Sequence, residues 1–157
     1  MKLASFYLDE EPNTNGVTLA DIMSYNNIQM ERVHNYIQWL FPNMEPSGFH
    51  ESPEITEFDI RSIRARGKPA MLAALAKFRQ FLASADWCHV GNHNLLRITR
   101  IIRSLRLFGL ETEAREFAES CLEQGQHLDT VTLMYWRRSL EVDPKLSMRN
   151  NWFADQG

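Results

Sequence analysis

Asn92 to Phe108 reads NHNLLRITRIIRSLRLF. Leu95, Ile98, Ile101, Ile102, Leu105 and Phe108 recur every three or four positions. On a helix of 3.6 residues per turn that spacing gathers them on one buried face. Arg97, Arg100, Arg103 and Arg106 are interleaved with them. Asn92 and Asn94 each carry the short polar oxygen that caps a helix start, and Gly109 suits its end. The pattern predicts a helix over 94–108 around which the rest of the chain packs. Arg97 falls in its first turn, where aligned peptide dipoles already present partial positive charge. A cation there is unfavourable unless an anion lies close by.

Beyond Gly109, Leu110–Gln124 predicts a further helix with Ala114, Phe117, Ala118, Cys121 and Leu122 facing inward and Gly125 at its end. Asp129 or Thr130 opens a last helix through Val131, Tyr135, Trp136 and Leu140 to about Val142, closed by Pro144. Trp152 and Phe153 in the polar tail are docking candidates. On the other side, Ala83–Gly91 is a connector containing Trp87. Before it comes a helix opened by Pro69, with Met71, Leu72, Leu75, Phe78 and Leu82 as its buried stripe. Thr56 caps a charged helix anchored by Phe58, Ile60 and Ile63 and ended by Gly67. Asn43 to Pro53 is a Pro/Gly/Ser loop. A helix from about Ile28 carries Met30, Val33, Ile37, Leu40 and Phe41 on one face until Pro42 stops it. Thr18-Leu19-Ala20-Asp21 spells a capping box for a short helix through Met23. Phe6 to Gly16 is an irregular lead-in with Phe6 and Tyr7 as anchors.

No stretch alternates apolar and polar residues with period two, and β-branched residues do not cluster as strands require. The expected class is therefore all-α, an irregular bundle of about six or seven helices packed around the 94–108 helix, in one domain spanning 1–157. The 157 residues suffice for a sizeable core, and 44% apolar with 24% charged is ordinary for a globular chain. A net charge of −3 leaves no broad electrostatic grip on nucleic acid. Cys88 and Cys121 form no metal or disulfide framework and suit a reducing compartment. No apolar run is long enough to span a membrane. The amino terminus turns acidic by Asp9 and does not read as a secretory signal, so a cytoplasmic protein is expected.

Two motifs carry a family resemblance. His34 to Pro42 reads HNYIQWLFP, and His93 to Ser104 reads HNLLRITRIIRS. Together they resemble the conserved amino-terminal region of the opioid growth factor receptor family, in which HxYIQWLFP is followed downstream by an HNxLRITRxL-like helix. Phe6-Tyr7, Gly16, Asp21-Ile22, Glu31, the Pro-rich loop after Pro42, Trp87 and Gly109-Leu110 agree more loosely. The resemblance implies a receptor for the enkephalin pentapeptide, associated in animals with the nucleus and with growth inhibition. This chain lacks the long carboxy-terminal extension and repeats of the animal pattern and looks like a stand-alone microbial relative. A fold and a family do not by themselves imply an activity, because function lives in sites.

Two constellations are candidate sites. Asn92, His93, Asn94, Arg97 and Arg100 combine free N–H groups at a helix start, two amides, an imidazole and two guanidiniums, a set able to hold a carboxylate or phosphate. The alternative is an internal ion pair, with Asp21, Glu31 or Asp86 as the acid and an Asn as the cap. The second set is His34, Tyr36, Gln38 and Trp39, aromatic faces beside an amide that could line a peptide groove, against the alternative of core plus cap. Tyr36 is the member expected to be partly exposed. Cys88, His89 and His93 lack the spacing of a metal site, and no metal or other cofactor is expected. The Arg100, Arg103 and Arg106 row reads as solvated surface with salt bridges rather than a nucleic-acid face.

The leading expectation is a non-enzymatic module that binds a peptide or protein. Its groove would lie between the Met30–Phe41 helix and the start of the 94–108 helix, with Arg97 and Arg100 holding a carboxylate. The alternative is a small enzyme on an anionic substrate, with His93 or His34 as general acid/base. Oligomeric state is not legible in the sequence.

Overall fold

The computed structural model describes residues 2–45 and 52–148. Among them are nine α-helices and no strand: α1 Lys2–Tyr7, α2 Leu19–Met23, α3 Asn27–Arg32, α4 Ile37–Leu40, α5 Glu57–Arg66, α6 Lys68–Ser84, α7 Asn94–Leu107, α8 Glu111–Gln124 and α9 Thr130–Ser139. The fold is all-α, as the apolar spacing predicts. The helices exceed the expected six or seven because short ones carry weak patterns. Residues 46–51 of the Pro/Gly/Ser loop and Trp152 and Phe153 of the tail lie outside the described residues.

Reciprocal side-chain caps start several helices. Thr18 Oγ1 accepts from the Asp21 N–H at 3.0 Å and Asp21 Oδ2 accepts from the Thr18 N–H at 2.9 Å, which is the capping box read from the sequence. Thr56 and Asp59 repeat it at α5, and Asn26 and Gln29 at α3. Two segments depart from expectation. The lead-in is partly helical: α1 ends with Asp9 at φ +59°, where the Asp9 and Glu10 N–H groups return to the Phe6 and Ser5 carbonyls. A short polar residue tolerates that left-handed position. The expected continuous helix from Ile28 to Phe41 is broken into α3 and α4, with Val33 extended (φ −80°, ψ 125°). The Tyr36 hydroxyl donates to the Met30 carbonyl at 2.7 Å, supplying a bond that the ended helix no longer provides.

The chain divides into two compact units, Met1–Pro42 with Pro46–Ala85, and Asn43–Glu45 with Asp86–Gly157. In the first, α1 packs on α5, α5 on α6 and α3 on α6. Leu3, Phe6, Tyr7, Ile22, Leu40, Ile63, Met71 and Phe78 are buried there. Phe6 meets Trp39 edge-on at 5.2 Å, and Phe41 meets Phe78 at 6.2 Å. The Tyr7 hydroxyl donates to the Leu40 carbonyl at 2.8 Å. Two expected anchors are not buried: Phe58 is 50% exposed and Leu72 41%. On α5 the inward face is Asp59, Ile60 and Ile63, and Phe58 sits about 200° from Ile60 around the axis. The acid displaced the aromatic. Asp59 is buried, and its Oδ1 accepts the Ala4 N–H at 3.1 Å in the first turn of α1, where helix N–H groups lack partners within the helix.

In the second unit α7, α8 and α9 pack against one another. The predicted face of α7 is buried throughout: Leu95, Ile98, Ile101, Ile102, Leu105 and Phe108, joined by Leu107. Gly109 ends it at φ +83°, with the Gly109 N–H on the Arg106 carbonyl and the Leu110 N–H on the Leu105 carbonyl. Gly125 serves space instead, since a Cβ there would stand 2.8 Å from Leu128 Cδ1 and 3.0 Å from the Trp136 ring. Buried Trp136 donates its Nε1–H to the Leu95 carbonyl at 3.2 Å, pinning α9 to α7. No described helix is long and apolar enough to cross a membrane.

Candidate functional site

The four arginines of α7 share a spacing of three residues, so each neighbours the next on the helix surface while the row winds half-way round the axis from Arg97 to Arg106. At its start, Asn92 Oδ1 accepts the Asn94 N–H at 2.9 Å and acts as the cap, while His93 stands half-buried in the turn. Asn94 is buried, and its Oδ1 accepts from Arg97 Nη1 at 3.2 Å. Arg97 is buried as well, so the guanidinium in the first turn does not face open water. The two amides therefore divide the work that either alone was expected to do.

One step on, Arg100 Nη2 donates to the Glu45 carbonyl at 3.2 Å, and its own carbonyl accepts from Asn43 Nδ2 at 3.3 Å. Burial lowers the Arg100 guanidinium to about 10, with Glu45 opposing, so it stays charged at neutral pH. Asp21, Glu31 and Asp86 were the acids considered for this end of the helix. Asp21 is used in its own capping box and Asp86 pairs with His89, while Glu45, in a loop with no periodic signal, is the acid that faces Arg100.

Arg103 and Arg106 overturn the expectation of a solvated row. Arg103 is fully buried; its Nη1 donates to the Val142 carbonyl at 2.7 Å and its Nη2 to the carbonyls of Asp143, at 3.1 Å, and Leu146. Burial pushes this guanidinium below its ordinary range, with Glu45 pulling the other way. Arg106 Nη1 donates to the Ser139 and Val142 carbonyls at 2.8 and 2.7 Å, while its Nε pairs with Glu111 at 2.9 Å. The negative charge that meets these cations is largely the carbonyl end of α9 and the turn after it. The last carbonyls of a helix have no partner within it and carry its negative pole. Helical periodicity marks where the arginines stand but gives no hint of this, because main-chain acceptors leave no trace in a sequence.

The HNYIQWLFP residues belong to the first unit. His34 is exposed, whereas Tyr36, expected to be partly open, is 1% exposed with its hydroxyl on Met30. Gln38 and Trp39 stand next to each other on α4, 6% and 1% exposed. Among the described residues, neither Gln38 Oε1 nor Trp39 Nε1 has a hydrogen-bond partner. Elsewhere, Cys88 Sγ donates to the Gln124 carbonyl at 3.5 Å and His127 Nε2 meets the Cys88 carbonyl at 2.8 Å. Among the described residues no three His, Cys, Asp or Glu side chains converge as metal ligands would.

Comparison with known proteins gives a family. The family model described as "Opioid growth factor receptor (OGFr) conserved region" matches residues 1–86, which ends where the first unit ends. The opioid growth factor receptor of Rattus norvegicus is 33% identical over 134 residues, covering 68% of this chain and 23% of the relative. The opioid growth factor receptor-like protein 1 of Xenopus tropicalis is 25% identical over 154 residues, covering 82% of this chain and 30% of the relative. An aligned stretch of that breadth cannot stop at residue 86 and takes in α7 as well. The chain thus spans a quarter to a third of the length of these relatives. No solved structure matches. With more than half of its length inside the family model, the chain belongs to the opioid growth factor receptor family.

Proposed function

We propose that the chain is a non-catalytic module that binds an extended peptide through α4. The observation that carries this reading is the pair of orphaned polar atoms on Gln38 and Trp39. A buried polar group without a partner costs about 1–3 kcal/mol, and such groups are rare in folded proteins. One of the two is an acceptor and the other a donor, the complement of a peptide group, which offers one N–H and one C=O. Both lie in the motif that carries the family resemblance and within residues 1–86 of the family match. The relatives' name, opioid growth factor receptor, describes proteins that receive such a factor. Because both side chains are buried, entry requires the exposed His34–Asn35 bend that precedes α4 to shift. The carboxylate-holding role considered for Arg97 and Arg100 draws less support, since Arg100 already faces Glu45.

The test is calorimetric titration of the full chain with an enkephalin pentapeptide, repeated on Gln38→Met and Trp39→Phe. Gln38→Met removes the orphaned acceptor with the rest of its amide at nearly constant volume, while Trp39→Phe removes the orphaned donor together with part of a buried ring system. We expect binding to the unmodified chain, at least tenfold weaker binding to each variant, an unfolding free energy of Gln38→Met equal to or above the parent's, and a cavity cost in Trp39→Phe. No heat with the unmodified chain, or equal affinity in all three proteins, sinks the reading. Loss of about 1 kcal/mol of stability in Gln38→Met would assign that side chain to the scaffold instead.

A further inference from the structure

Val142 to Met148 is held in the second unit as a bound peptide would be. Arg103 takes the carbonyls of Val142, Asp143 and Leu146, and Arg106 shares that of Val142. At the far end, the Glu45 carboxylate accepts from the Ser147 hydroxyl at 2.8 Å and from the Met148 N–H. Almost all of these bonds go to main chain, so they read the path of the backbone, which the Leu146 N–H folds back onto the Asp143 carbonyl at 2.9 Å, with little regard to its side chains. The side chains add two buried apolar anchors, Val142 and Met148, while Asp143, Lys145 and Leu146 between them are exposed. The fit is also incomplete. Arg103 Nε is buried and has no hydrogen-bond partner, so a donor remains that this occupant does not answer.

We infer that Arg103, Arg106 and Glu45 form a second peptide-binding cradle, filled in cis by Val142–Met148, which a segment of a partner protein able to make the same turn displaces. The partner segment would carry apolar residues six apart and an acid just after the first, as Val142, Asp143 and Met148 do. Glu45 turns its carboxylate to the strap and its carbonyl to Arg100, so it ties the strap to the same helix that carries the arginines. The site is separate from the one proposed on α4, and neither depends on the other.

A fluorescein-labelled peptide SLEVDPKLSM, copied from residues 139–148, tests this by anisotropy against the full chain and against Met148→Glu, which removes one anchor of the strap. Expected are at least tenfold tighter binding to the variant than to the unmodified chain, and its loss when Arg103→Met is added. Equal binding to both proteins, or binding to neither, overturns the inference. A doubled mass of Met148→Glu in sedimentation without peptide uptake would give the cradle to a second copy's strap, which also overturns it. Native-state hydrogen exchange on the unmodified chain needs no variant to fold. The Leu146 and Met148 amides should exchange through an opening that leaves Ile101 and Ile102 of α7 protected. Exchange of all four only on global unfolding would overturn the inference.

Discussion

The two units solve the same polar problem with different chemistry. In the first, two loose carbonyls are met by neutral phenols, Tyr7 on Leu40 and Tyr36 on Met30, a third by the Lys77 ammonium on Tyr25, and a helix start by the buried Asp59. In the second, loose carbonyls are met by guanidiniums, Arg100 on Glu45, Arg103 on three residues and Arg106 on two. A phenol offers one hydrogen bond and buries cheaply. A guanidinium offers five donors in a fixed fork and is costly to desolvate unless most of them are used. The first unit therefore spreads its polar contacts over single bonds, and the second concentrates them in a few side chains. That difference predicts how each unit should fail.

The largest effect belongs to Arg103→Met, which deletes every bond to the Val142, Asp143 and Leu146 carbonyls that this side chain makes while keeping its volume. Breaking a buried charged network costs about 3–5 kcal/mol, and we expect about 3 kcal/mol in urea denaturation followed by circular dichroism. Arg103→Lys keeps the charge but not the fork and should recover less than half of that. Full recovery by lysine would mean that charge alone matters, and the contrast between the units would lose its basis.

Asp59 gives an intermediate effect with a pH signature. Burial works to raise its carboxyl, but hydrogen bonds from Thr56 and Ala4 outweigh burial and hold it below its ordinary value. As pH falls, the unfolded chain takes up the proton first. The stabilisation is complete above the ordinary aspartate value of about 4 and is lost as pH drops through the lower folded value. Asp59→Asn should cost about 2 kcal/mol at neutral pH, and its deficit against the parent should close below pH of about 4. A deficit that stays constant down to low pH would show that the charge plays no part.

What the sequence makes legible follows from the range of each interaction. The capping box at Thr18, the cap at Thr56, the apolar face of α7 and the glycine that ends it are all local, and each is readable in the residues themselves. The misses are contacts between residues far apart in the chain. Asp59 was passed over in favour of Phe58 because its partner, Ala4, lies 55 residues away. Arg103 was read as solvated because its acceptors are main-chain atoms 39 to 43 residues downstream. For the candidate site the same rule holds. The spacing of Asn92, Asn94 and Arg97 predicts a cap and an anion beside Arg97; Asn92 supplies the cap, and the Arg97 contact with Asn94 is to a neutral amide. Gln38 and Trp39 were singled out for their chemistry. That Oε1 and Nε1 are left without partners depends on what the rest of the unit fails to supply.

Tyr36→Phe should have the smallest effect of the three and sets the scale for the others. It removes one hydroxyl and its bond to the Met30 carbonyl and leaves the ring in edge-on contact with Tyr25 at 5.7 Å. A single neutral hydrogen bond is worth about 1 kcal/mol net, so a loss near that figure in the same urea titration is expected. Neither charge nor cavity changes, which makes the variant a clean measure of what a phenol contributes in the first unit. Should Tyr36→Phe cost as much as Arg103→Met, the break between α3 and α4 would rest on that one hydroxyl. The first unit would then be as concentrated in its polar contacts as the second, and single bonds of unequal worth, not a difference between phenol and guanidinium, would describe how this chain closes its helix ends.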